Sequence, residues 1–252
     1  MTASTAAALR RAAGALLDLV LPRACAACER TLDAGDRDVV CGRCWARLQT
    51  LPHPHCPRCG HPTWARDCRW CALLPPYVRA ARSVCWTGVG TGSDVVHALK
   101  YAGWRHVAEG MAERMARLAW PRDVVEERAA LVPVPLSGTR LRERGFNQSA
   151  LLAAALARRW QVPARDDVLG RVRATASQTR LTPGERVRNV SGAFRAVGTA
   201  RDSLRGAHVV LVDDVVTTAA TLNACAAALV NGGARIVSYV TFGRAPALGD
   251  RC

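Results

Sequence analysis

The chain has 252 residues, half of them hydrophobic, which is enough to bury a sizeable core and too apolar for wholesale disorder. Its formal net charge is +15, and Lys100 is the only lysine among 35 basic residues; this balance favours anionic partners, phosphates ahead of DNA, although an Ala/Arg bias runs through the whole sequence. The first apolar run is interrupted by Asp18 and closed by Pro22, too short to span a bilayer, so residues 1–21 read as an amphipathic helix, no membrane partner is expected and the chain reads as cytoplasmic.

Residues 22–75 hold eight of the eleven cysteines, in four CxxC pairs: Cys25/Cys28, Cys41/Cys44, Cys56/Cys59 and Cys68/Cys71. Each pair is a knuckle that turns two thiolates to one side, and two knuckles close a four-sulfur zinc site. A disulfide framework needs an oxidising compartment, which the absence of an export signal argues against. Two structural zinc ions are therefore expected. Sequential pairing gives one ion Cys25, Cys28, Cys41 and Cys44 and the other Cys56, Cys59, Cys68 and Cys71, with interleaved pairing also open. His53, His55 and His61 lie nearby but are not needed as ligands. Cys85 and Cys225 sit in strand-like and Ala-rich helical segments and read as small buried hydrophobes.

Pro75 and Pro76 end this segment, and residues 76–245 alternate between strands and helices, leaving 246–252 as a tail. "ARSVCWTGV" is strand-like; "SDVVHALKYAG" and "HVAEGMAERMARLAW" are helical; "ALVPVPL" is a short buried strand. "NQSALLAAALARRW" reads as a helix with Asn147 as N-cap, and "RATASQTRLTPGERVRN" as a loop. "AHVVLVDD" is a buried strand, "TLNACAAALVNGG" a helix ending at Gly232 or Gly233, and "ARIVSYVTF" the next strand. Strand, helix and strand at this spacing predict a parallel α/β sheet flanked by helices.

In such a sheet, ligands bind beyond the carboxyl ends of strands. Asp213 and Asp214 end "HVVLV", where carboxylates can accept from sugar hydroxyls or help hold a divalent ion. The small residues of "TTAAT" then open a helix whose amides and dipole suit a phosphate. A capped strand-to-helix turn would explain one Asp or one Thr; it does not explain the whole string. Together these features suit a sugar phosphate.

"VVLVDDVVTTAAT" resembles the phosphoribosyl pyrophosphate (PRPP) signature of type I phosphoribosyltransferases, and the whole chain resembles the ComF family. The four knuckles match its double zinc ribbon, and "HALKYAG", "LVPVPLSGTRLRERGFNQS" and "SQTRLTPGERVRNVSGAF" match three further segments. The resemblance implies a type I phosphoribosyltransferase-like sheet binding PRPP with Mg2+. Asp213 and Asp214 would be the catalytic acids on the ribose hydroxyls; Thr217, Thr218, Ala219, Ala220 and Thr221 would hold the 5′-phosphate. Ser137 and Arg140 would face pyrophosphate, and Gln178, Arg180, Arg186 and Asn189 would lie on the closing loop. "RGFN", residues 144–147, would be supportive, and residues 80–120 would form a variable acceptor hood. The family name implies DNA uptake or natural transformation, with single-stranded DNA and a helicase as partners. Two other roles stay open: a non-catalytic PRPP or nucleotide sensor, and a DNA-binding accessory using Trp64, Trp70, Trp86 or Trp104 for stacking. One departure stands out, Ala219 in place of the usual glycine. A helical or extended φ there would leave phosphate binding intact, whereas a left-handed one would weaken it.

Overall fold

The computed structural model describes residues 23–33, 35–36, 38–63, 68–173, 190, 192–198, 200–246 and 250. The expected helix at 1–21 and the loop residues Gln178, Arg180, Arg186 and Asn189 lie outside them, as does Trp64.

Four parallel strands form the central sheet in the order β1–β6–β5–β2, with β1 at Val78–Trp86, β2 at Arg128–Pro133, β5 at His208–Val216 and β6 at Ile236–Arg244. The middle strands β5 and β6 are buried almost throughout, which is why their sequences are apolar without alternation. A short antiparallel pair, β3 (Leu169–Arg171) and β4 (Phe194–Ala196), stands apart from this sheet.

Successive strand residues feed two separate cores. Val210, Val212, Val240 and Phe242 pack against α2 (Thr91–Tyr101), α3 (Val107–Ala116) and α6 (Gln148–Trp160), through Leu99, Met111, Met115, Leu152 and Leu156. On the other face, Val209, Leu211, Val237 and Tyr239 pack against Leu222, Ala226 and Leu229 of α8 (Ala220–Asn231). The remaining helices are short: α1 (Gly42–Ala46), α4 (Arg122–Glu127), α5 (Gly138–Arg144) and α7 (Ala200–Ser203).

The unit β5–α8–β6 is the parallel crossover that the sequence predicts. Two expectations need correction. β5 does not stop at the acids but runs two residues past them, because Val215 and Val216 still pair with β6. The stretch 80–120 is not wholly a hood: residues up to Trp86 belong to an edge strand of the main sheet, and only the later part reaches the cleft, through Lys100, Tyr101 and Gly103.

Candidate ribose-phosphate site

A cleft of about 950 Å³ opens at the carboxyl ends of β2 and β5. Asp213 and Asp214 lie at its base, 9% and 3% exposed, and both are gripped by the first turn of α6. The Ser149 hydroxyl donates to Asp213 Oδ1 at 2.8 Å, an oxygen that also accepts from the Asp214 amide at 2.9 Å. Asp214 Oδ1 accepts from Gln148 Nε2 at 3.0 Å, while Oδ2 pairs with the Lys100 ammonium.

These contacts separate two carboxyls of identical chemistry. Burial drives Asp213 up to about 8, the neighbouring Asp214 charge adds to it, and Ser149 offsets only part. Burial acts on Asp214 as well, but Lys100 and Gln148 outweigh it and hold that carboxyl below its usual value. Burial alone would lower Lys100; Asp214 reverses this and keeps the ammonium charged. The environment thus pushes the two carboxyls apart, Asp213 towards its neutral form and Asp214 towards the charged partner of Lys100.

Local sequence explains why α6 arrives in register. Gly145, at φ 76°, ends α5 in the left-handed conformation that a Cβ disfavours. Asn147 then caps α6: its side chain accepts from the Ser149 amide at 3.0 Å and donates to Val134 O at 3.0 Å, tying the helix to the end of β2. Arg144 donates to Gln148 Oε1 and orients the amide that reaches Asp214. The "RGFN" element is thus a bracket, and the contacts are made by the two residues after it.

The phosphate-loop residues follow directly. Thr217 is exposed, Thr218 and Ala219 are half-buried, and Ala220 begins α8. No side chain caps this helix, and Ala219, Ala220, Thr221 and Leu222 at its start line the cleft, the kind of helix terminus that favours an anion. Ala219 adopts φ 58°, ψ 4°. This is the left-handed case, the one expected to weaken phosphate binding, and it costs an alanine about 1–2 kcal/mol.

Across the cleft, Ser137 Oγ accepts from the Arg140 amide at 3.3 Å and caps α5. Arg140 lines the cleft together with Arg171. Burial lowers the Arg171 guanidinium and Arg140 lowers it further, so the two cations bear on one another across a space suited to an anion. Arg171, Lys100, Gln148 and Ser149 are absent from the residues that the sequence marked as the site. Lys100 had a signal: one lysine kept in a chain that otherwise uses arginine.

The eight knuckle cysteines form two groups, Cys25/Cys28/Cys41/Cys44 and Cys56/Cys59/Cys68/Cys71, with sulfurs within 4.8 Å of one another in each. Sulfur pairs at 3.8 and 3.9 Å in the first and 3.3 and 3.4 Å in the second are far longer than a disulfide. They approach the roughly 3.8 Å edge of a tetrahedron with Zn–S of about 2.3 Å. Burial raises Cys25 and Cys56, but amide donors of the knuckles win and bring each to about 7, while burial and neighbouring thiols push Cys71 to about 11. Four thiolates in one group need a cation, and zinc fits both. Of the tryptophans proposed for stacking, Trp86 is 4% exposed and belongs to the core, Trp70 packs on His61 at 4.8 Å, and Trp104 is 36% exposed.

Family models match two segments, a double zinc ribbon domain over residues 16–74 and a phosphoribosyl transferase domain over 147–250. The chain is 31% identical to "DNA utilization protein YhgH" of Escherichia coli K12, over 87% of this chain and 96% of that protein. It is 28% identical to "Competence protein ComFC" of Bacillus subtilis, over 77% and 79%, and 37% identical to "Competence protein F" of Haemophilus influenzae, over 37% and 41%. A Trypanosoma cruzi hypoxanthine phosphoribosyl transferase aligns at 24% identity over 56% of this chain and 64% of that one, with a TM-score of 0.30, too loose a superposition to argue from. With its two cysteine clusters, parallel sheet and full-length relatives, the chain belongs to the ComF family of double-zinc-ribbon, phosphoribosyltransferase-fold proteins.

Proposed function

We propose that this protein binds PRPP with Mg2+ in the cleft and serves DNA uptake or DNA use in the cytoplasm. The observation that carries the reading is the juxtaposition, on one strand-to-helix turn, of the Asp213–Asp214 pair and the uncapped start of α8. The carboxyls accept from ribose hydroxyls, the amides of residues 217–221 and the hydroxyls of Thr217 and Thr221 take the 5′-phosphate, and Arg140 takes pyrophosphate beside Ser137. Thr218, expected to share in this, turns its hydroxyl away from the cleft into a small buried cavity. Among the described residues, the cysteine groups are the only clusters of three or more metal-ligating side chains, so Mg2+ would enter on the phosphates of the ligand. There it would neutralise the leaving pyrophosphate. The part of the described residues in turnover is positioning and charge complementarity. Calorimetric titration with PRPP and Mg2+, beside an Asp213→Asn/Asp214→Asn double variant, tests this. Binding in the parent alone is expected, and a folded, zinc-loaded parent that gives no heat sinks the reading.

A second reading, a single-strand DNA-binding accessory, is favoured by the cleft mouth. Tyr101 is 69% exposed there, with the Arg144 guanidinium 5.2 Å above its ring. Exposed rings and arginines are what stacked bases use. Oligonucleotide affinity that survives the double aspartate variant and falls in Tyr101→Ala supports that role with stacking at Tyr101; affinity unaffected by Tyr101→Ala rules out the stacking, and no measurable affinity counts against the role itself.

A further inference from the structure

The underside of the phosphate loop rests on the second cysteine group. Asn223, in the first turn of α8, donates from Nδ2 to Leu73 O at 2.7 Å, accepts at Oδ1 from the Tyr239 hydroxyl at 3.0 Å, and donates its amide to Ala219 O at 2.8 Å. Leu73 ends the 3₁₀ helix Arg69–Leu73, which contains Cys71. Arg58, inside the Cys56/Cys59 knuckle, binds the same stretch of backbone: its guanidinium donates to Cys71 O at 3.4 Å, Leu74 O at 3.2 Å and Pro75 O at 2.7 Å. Arg244, at the end of β6, donates to Cys59 O at 2.7 Å. Between the layers lies a cavity of about 30 Å³, with Cys59, Trp70 and Leu74 on one side and Thr217, Thr218 and Leu222 on the other. Thr218 Oγ1 is buried there with no hydrogen-bond partner among the described residues.

The first cysteine group is placed differently. It joins the core through α3: the Arg114 guanidinium lies 3.5 Å over the Trp45 ring, and Trp45 meets Phe242 edge-on at 6.3 Å. It lines neither the cleft nor the small cavity.

We infer that the second zinc ribbon is the support that fixes the phosphate loop, with Asn223 as the positioning residue between them. Metal at Cys56, Cys59, Cys68 and Cys71 and an anion at Thr217–Thr221 then stabilise one another. Such coupling is reciprocal, so whatever zinc does for ligand affinity, the ligand does for zinc retention. The inference rests on the reading of residues 217–221 as a phosphate loop.

The test uses the zinc-loaded full chain with a zinc-selective chelator and N-ethylmaleimide, following alkylation of each cysteine by peptide mass spectrometry with and without PRPP and Mg2+. Saturating PRPP is expected to slow alkylation of Cys56, Cys59, Cys68 and Cys71 by about fivefold or more, and to leave Cys25, Cys28, Cys41 and Cys44 unchanged. Asn223→Ala is expected to remove that slowing and to speed the second group's alkylation without ligand. Tyr239→Phe, which keeps the bond to Leu73, is expected to lie between the two. Calorimetric binding of PRPP together with unchanged alkylation rates, or equal slowing at both groups, overturns the inference. If PRPP gives no heat, the phosphate reading itself has failed and the ligand-free comparison decides. Faster alkylation of the second group alone in Asn223→Ala supports the support role; unchanged rates end it.

Discussion

At Ala219 a methyl group occupies a backbone conformation that glycine adopts freely. Ala219→Gly removes the left-handed strain but adds backbone freedom to the unfolded chain, so a net gain of about 0.5–1 kcal/mol is expected, a rise in melting temperature of about 1–4 °C in a chain of this size. Asp213 gives a pH signature. Its carboxyl is raised to about 8, so its contribution to stability is fully present below the unfolded value near 3.9 and is lost as pH rises through 8. Asp213→Asn should therefore gain on the parent in urea midpoint as pH is raised from 5 to 8, and a difference that stays constant refutes the raised carboxyl. Asp214 runs oppositely: held below its usual value, it stabilises at neutral pH and loses that effect only in acid. Lys100→Met leaves Asp214 buried without its counter-ion, at an expected cost of about 3 kcal/mol read from urea unfolding at pH 7. The acids and the threonine loop were legible in sequence because they are consecutive. Lys100, Gln148 and Ser149 were not, since they reach the acids from 114, 66 and 64 residues away.

At the scale of elements, α6 carries the site's precision. Asn147→Ala removes both its cap and its tie to Val134, so about 1–2 kcal/mol of stability should be lost. Because Gln148 and Ser149 ride on that turn, ligand affinity should fall as well, measurable by the same titration. β5, β6, α6 and α8 could be read directly, because buried parallel strands are apolar without interruption and both helices have clear ends. α5 could not: "GTRLRER" buries none of its side chains and so shows no apolar face, and it is held by the Ser137 cap and by Gly145. β3 and β4, three residues each, are too short to carry a period and pair across more than twenty residues of chain.

For the molecule as a whole, the charge of +15 makes any contact with nucleic acid steeply salt-dependent. If binding is purely through phosphates, single-strand affinity should drop by orders of magnitude between about 50 and 200 mM salt and be unchanged by Tyr101→Ala, whereas stacking at the cleft mouth leaves a salt-resistant part that Tyr101→Ala removes. Gel-shift titrations at the two salts separate these outcomes. The compositional drift from lysine to arginine has a practical outcome as well. Across 252 residues the chain offers acylating reagents a single side-chain amine, and that amine is clasped by Asp214 on the floor of the cleft. Acylation at Lys100, read by peptide mass spectrometry so that the chain's α-amine is counted apart, would thus act as an occupancy gauge: slow while Asp214 holds the amine charged, and slower still when the cleft is filled.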